Sequence, residues 1–301
     1  MSDSNTKSRR QLGPVLGATL TCQDIDKVSQ AYIQQLDFTL VEESTVSEQL
    51  ASFWQAENLV GNRLHILKAA NGDAWLRLLE DKNAKANQPL KTHGWMSLET
   101  NVGDVDAIAK QLQSDFEVIG APAYLQVSDA IKAMQVIGPA GEVSYLTQVE
   151  REVPPFELPM TKASSGSLFI PVLSTPNREQ SLAFYEALHQ ADQGLKFPTK
   201  VTVLNNAWGK PIDHQYDVAT LQLAGKTLFE IDQVVDAAPI ITNTGGLPSG
   251  IAMISIQVNN IEAIADRLKQ TITPIDSHYL GRCRGIFATG AAGELIELLA
   301  N

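Results

Sequence analysis

Four residues that could do chemistry, Arg77, Tyr145, Glu230 and Glu297, hold the same place in four similar stretches. Trp75-Leu76-Arg77-Leu78-Leu79 follows Asn71-Gly72-Asp73, and Val143-Ser144-Tyr145-Leu146-Thr147 follows Gly138-Pro139-Ala140-Gly141. Leu228-Phe229-Glu230-Ile231-Asp232 has the same shape, and Glu294-Leu295-Ile296-Glu297-Leu298-Leu299 follows Gly290-Ala291-Ala292-Gly293. Strand alternation sets Glu297 on the face opposite Ile296 and Leu298, so it faces a cavity if those two face packed helices. A carboxylate or guanidinium there needs a partner, because an unpaired buried charge is costly. Two carboxylates can hold Mg²⁺ or Mn²⁺ together with waters, an arginine can grip an anion, and a tyrosine can anchor a ligand through its hydroxyl.

The elements that would position these residues recur. Leu16–Cys22 reads as a strand, Gln23-Asp24 as a cap, and Ile25–Leu36 as a helix with Ile25, Val28, Tyr32, Ile33 and Leu36 on one stripe. Strands at 38–42, 63–67 and 74–79 follow, with a short helix near 50–57. A second unit has a strand at 95–100, a helix at 104–112 and strands at 117–119, 132–137 and 142–148. The third has a strand at 168–173, a helix at 176–189 and strands at 200–204, 217–223 and 227–233. The fourth runs from a strand at 251–258 through a helix at 261–269 to the closing strand. Helix starts at Asp24, Asp104, Asn177 and Asn260 repeat every ~75–85 residues, a period that fits a repeated small α+β unit. The stretch from Arg151 through Pro154-Pro155 to Ser164-Ser165-Gly166 reads as a linker. Expected are one domain over residues 14–150, a linker over 151–165 and a second domain over 166–301, each domain of two βαβββ units. Residues 1–13 read as a polar, frayed arm.

Composition narrows the function. The chain has 301 residues, 44% of them hydrophobic, enough for a sizeable core. Its formal net charge of −11 and the lack of a Lys/Arg cluster argue against nucleic acid and anionic membrane as partners. Cys22 and Cys283 lack metal-type spacing and read as small apolar core residues. Without a signal-like apolar region or a run of membrane-spanning length, the expected location is the cytoplasm.

A helix with one face on a sheet leaves the other sheet face bare, and two such sheets side by side curl around a ligand-sized cavity. Here the chain resembles the vicinal oxygen chelate superfamily, which includes glyoxalase I, bleomycin- and fosfomycin-resistance proteins and extradiol dioxygenases. The resemblance rests on paired βαβββ units and Ser181-Leu182-Ala183-Phe184-Tyr185 on a first helix. It rests also on the closing patterns Gly293-Glu294-Leu295-Ile296-Glu297-Leu298 and Gly141-Glu142-Val143-Ser144-Tyr145-Leu146, and on the strand-then-helix opening of Ile251–Leu268. It covers nearly the whole chain and implies an α+β fold of four βαβββ modules pairing into two open-barrel domains.

In that family a divalent metal is held by first-strand residues, commonly His, and last-strand residues, commonly Glu. The first-strand positions here fall near Gly17, Ser97, Ile170 and Met253, none of them histidine. At the last-strand positions Arg77 and Tyr145 give no ordinary divalent site, whereas Glu230 and Glu297 are metal-ligand candidates in the C-terminal domain. Arg282 and Arg284 could instead neutralise one of those carboxylates, and His214 and His278 lie where they could reach the same cavity. Three readings stay open. One is a small-molecule-binding protein with a degenerate or absent metal site. The second is a metal-dependent lyase, isomerase or ring-cleaving dioxygenase using Glu230 and Glu297, and the third is a structural or protein-interaction module. The partners admitted are a small molecule and a second copy of the chain.

Overall fold

A computed structural model describes residues 10–126, 128–242 and 244–301. Each module opens with a strand and a helix. These are β1 (Leu12–Cys22) and α1 (Ile25–Leu36), β5 (Gly94–Asn101) and α3 (Val105–Gln111), β9 (Leu168–Thr175) and α4 (Arg178–His189), and β13 (Gly250–Val258) and α6 (Ile261–Leu268). The four residues read as helix starts are the N-caps. Side chains of Asp24, Asp104, Asn177 and Asn260 accept from the backbone N–H of Lys27, Ala107, Gln180 and Ala263, each three residues on.

Three further strands complete each module: β2 (Thr39–Thr45), β3 (Arg63–Lys68) and β4 (Leu76–Glu80); β6 (Glu117–Leu125), β7 (Ser128–Ile137) and β8 (Val143–Val149); β10 (Leu195–Thr199), β11 (Tyr216–Gln222) and β12 (Leu228–Gln233); and β14 (Thr273–Ser277), β15 (Gly281–Thr289) and β16 (Leu295–Ala300). Two short helices are added, α2 (Glu48–Phe53) and α5 (Thr202–Trp208). The helix α5 replaces the strand expected at 200–204. Its β-branched start mimics a strand, but Val203 and Leu204 pack into a core cluster, and Gly209 closes the helix at φ +60°.

The strands form two eight-stranded, curled half-barrel sheets in an α+β arrangement. The order in one is β14-β15-β16-β13-β1-β4-β3-β2, and in the other β10-β11-β12-β9-β5-β8-β7-β6. The first module therefore shares a sheet with the fourth, and the second with the third. This overturns the expectation that each domain of consecutive modules would form its own barrel. The join is made by antiparallel pairing of opening strands, β1 with β13 and β5 with β9. In each module the opening strand runs parallel to the last strand, as the intervening helix requires.

One large hydrophobic cluster joins both sheets with the helices, through residues such as Ile25, Val105, Leu182 and Ile261. Smaller clusters fill the inner face of each half-barrel, one around Trp54, Met253 and Ile275, the other around Phe169, Val218 and Leu204. Cys22 and Cys283 are free and buried in these clusters. The expected frayed arm is tied down where it is described. Arg10 is 7% exposed, its guanidinium bonded to Asp192 at 2.6 Å and Glu157 at 3.1 Å. Residues 1–9 of that arm lie outside the described residues.

Candidate functional site

The sheet register defines four inward positions in each half-barrel. In the first, Thr19 lies beside Arg77, and Ser255 beside Glu297. In the second, Glu99 lies beside Tyr145, and Val172 beside Glu230. The first-strand positions are thus Thr19, Glu99, Val172 and Ser255, two residues beyond those expected at Gly17, Ser97, Ile170 and Met253. Because the displacement is even, the same face points inward. It nonetheless hid Glu99, whose signal was legible as a lone carboxylate in Trp95-Met96-Ser97-Leu98-Glu99, the same pattern that singled out Glu297.

The two candidate carboxylates do not meet. Glu297 belongs to the sheet of modules one and four and Glu230 to that of modules two and three, so the expected shared site fails on topology. Arg282 and Arg284 do not serve Glu297 either. Arg282 is exposed, and Arg284 pairs with Glu262. His278 contacts Glu42 at 3.1 Å, and His214 packs edge-on against Tyr216, so neither is brought to a shared metal site.

The first half-barrel is filled by its own side chains. Arg77 donates to Glu297 at 2.8 Å and to Thr19 at 2.8 Å, both ions being 1% exposed. Trp54, at the end of α2, donates its indole N–H to Glu297 at 2.5 Å, and Ser255 donates to the same carboxylate. The guanidinium carbon lies 4.7 Å from the Trp54 ring centre and 5.2 Å from that of Tyr279. Tyr279 fits because residue 17 is glycine. A Cβ there would stand 2.2 Å from the Trp75 carbonyl and 2.5 Å from the tyrosine ring. Every charge in this interior is answered by a neighbour.

The second half-barrel holds a cavity of about 920 Å³. Ile131, Ala133, Phe156, Ile170, Phe197 and Leu228 supply apolar wall, and exposed Tyr124 and Ile212 mark its mouth. Glu99, Tyr145, Thr220 and Glu230 face it. Glu99 accepts a hydrogen bond from Thr147 at 2.7 Å. Burial, reinforced by the charge of Glu230, pushes the Glu99 carboxyl up to about 8. Burial raises Glu230 as well, and raises Asp232, on the same strand face two residues on, well above the carboxylate range. Both Asp232 carboxylate oxygens, the Thr220 hydroxyl and the Tyr216 hydroxyl are buried without a hydrogen-bond partner. Such groups cost free energy unless something supplies the missing bonds. Among the described residues no three His, Cys, Asp or Glu side chains converge as a metal would need, so the fold family's metal does not fit the donor set present.

No helix among the described residues is long and apolar enough to cross a membrane. No family model matches the chain, and no curated protein does. Solved structures do match. A mutant of glyoxalase I from Zea mays is 15% identical, the match covering 98% of this chain and 95% of that one with a TM-score of 0.64. A candidate dioxygenase from Bacillus subtilis is 12% identical, with coverage of 97% and 86% and a TM-score of 0.60. The cppA protein from Streptococcus pneumoniae is 10% identical, with coverage of 96% and 100% and a TM-score of 0.50. With these likenesses and its two half-barrels of paired βαβββ modules, the chain has the vicinal oxygen chelate fold, of the glyoxalase and dioxygenase-like kind.

Proposed function

We propose that this protein binds a small molecule in the second half-barrel, with the first half-barrel as its filled structural counterpart. One observation carries the reading: a cavity of about 920 Å³ has apolar walls, and the Thr220 hydroxyl that lines it is buried without a hydrogen-bond partner. That combination is the usual make-up of a ligand site. A reaction that joins Glu230 to Glu297 through one metal is not carried forward, because the two residues open into different half-barrels.

Ala133 lines the cavity on β7, opposite Thr147, the hydrogen-bond partner of Glu99. Replacing it by Phe places a ring inside the cavity while leaving the outer core untouched. Binding of the neutral solvatochromic dye Nile red is expected to raise its fluorescence with the parent protein, and Ala133→Phe is expected to weaken that binding tenfold or more. A saturable signal of equal affinity in both proteins would show that the cavity is not the site.

A further inference from the structure

The two half-barrels are built on the same register, so each interior can be read as the control for the other. At matched places the first holds Arg77 and Glu297, the second Tyr145 and Glu230. In the first, the carboxylate is answered by a guanidinium at 2.8 Å, itself held against two aromatic rings. The second has the carboxylate and another, Glu99, but has Tyr145 where the first has its arginine. Among the described residues its only basic lining residue is Lys200, which is exposed.

A second, independent observation marks the same spot. Thr220 stands opposite Glu230 across the β11–β12 pair, lines the cavity, is 6% exposed, and its hydroxyl has no partner. Asp232, two residues on from Glu230 and outside the cavity lining, is at 0% exposure and leaves both carboxylate oxygens unbonded. Aromatic faces that could flank a cation line the cavity in Tyr145, Phe156 and Phe197.

We propose that the ligand of the second half-barrel is an organic cation, a protonated amine, amidine or guanidine on an apolar body, whose charged head lies against Glu99 and Glu230 as Arg77 lies against Glu297. The inference rests on the cavity being a binding site, as proposed above. An anionic ligand would meet two carboxylates with no buried cation to offset them. A neutral apolar ligand would leave the Thr220 hydroxyl and the Glu230 carboxyl unanswered.

The test uses three ligands of one shape on the full chain: 2-naphthylmethylamine, 2-naphthylmethanol and 2-naphthoate, titrated by calorimetry at neutral pH and low salt. The amine is expected to bind at least tenfold tighter than the alcohol, and the carboxylate weakest. In Glu99→Gln/Glu230→Gln the advantage of the amine should vanish while the alcohol binds as before. Tyr145→Arg, which copies the first half-barrel's arginine into the second, should abolish amine binding. Equal binding of amine and alcohol, both blocked by Ala133→Phe, would overturn the cation inference and leave the binding site standing. Amine binding unaffected by Tyr145→Arg and by the double Gln change would overturn it too. If Nile red and all three naphthyl compounds fail to bind the parent, the site and the inference fall together.

Discussion

The Tyr185 hydroxyl donates to Glu294 at 2.6 Å, tying the helix of the third module to the turn that launches the last strand of the fourth. An identical tie joins Tyr32 to Glu142 at 2.7 Å, from the first module to the second. Each glutamate also accepts a backbone N–H from its own turn, at Ala292 and Ala140. Modules one and two, and modules three and four, which do not share a sheet, are thus joined by buried tyrosine–glutamate bonds. Tyr185→Phe is expected to cost about 1–3 kcal/mol, the range for a buried hydrogen bond whose acceptor is left wanting. Chemical denaturation of the parent and variant checks it, and a loss below a few tenths of a kcal/mol would contradict the role.

Arg77 and Glu297 make a second prediction. Removing one member of a buried ion pair leaves the other uncompensated, so Arg77→Met should destabilise the chain by about 3–5 kcal/mol. Arg77→Met together with Glu297→Gln should recover a large part of that loss, because the stranded charge is gone. A double variant as unstable as the single one would mean that packing against Trp54 and Tyr279, rather than charge, is what Arg77 supplies.

Stability should fall as pH rises. Glu99 is raised from an ordinary 4.5 to about 8, so its contribution is full below about 4.5 and lost by about 8. Glu142, Glu230, Asp232 and Glu294 are shifted upward too, chiefly by burial, and act with the same sign. The ligand-free chain is therefore expected to melt at a lower temperature at pH 8 than at pH 5.5. Glu99→Gln should flatten the slope. A parent melting temperature that rises across this interval would contradict the assigned environment.

Cation binding has a linked signature. A positive head group beside Glu99 and Glu230 favours their ionised forms, so binding should release protons at pH 7. Calorimetric titration of 2-naphthylmethylamine in two buffers of different ionisation enthalpy measures that release. The double Gln variant should show none, and proton uptake by the parent would be the wrong sign.

Much of the architecture was legible in the sequence because it is written locally. The four N-caps at Asp24, Asp104, Asn177 and Asn260 need only a side chain and an N–H three residues on. The inward direction of Glu297 follows from alternation along a single strand. What was not legible depends on partners far away in the chain. Nothing near β1 says whether its free edge takes β13 or β5, and that choice decides whether Glu230 and Glu297 meet. Arg77 read as a residue that could grip an anion, since Glu297 comes to it only when the sheet closes. Glu99 was missed because the opening strand was aligned two residues short.

The crossed pairing also sets an order of events during synthesis. The second and third modules are made one after the other, and their half-barrel can close as soon as β12 emerges. By contrast β1 must wait for β13, while everything between them is translated. Through that interval it offers an unpaired edge, the kind of surface on which stray strands add. The waiting strand is poorly suited to such capture. Pro14 brings no N–H to a neighbour, and its ladder with β13 shifts register between Leu12 and Val15 and again before Gly17. A broken ladder is one its late partner can match and a passing stranger fits badly.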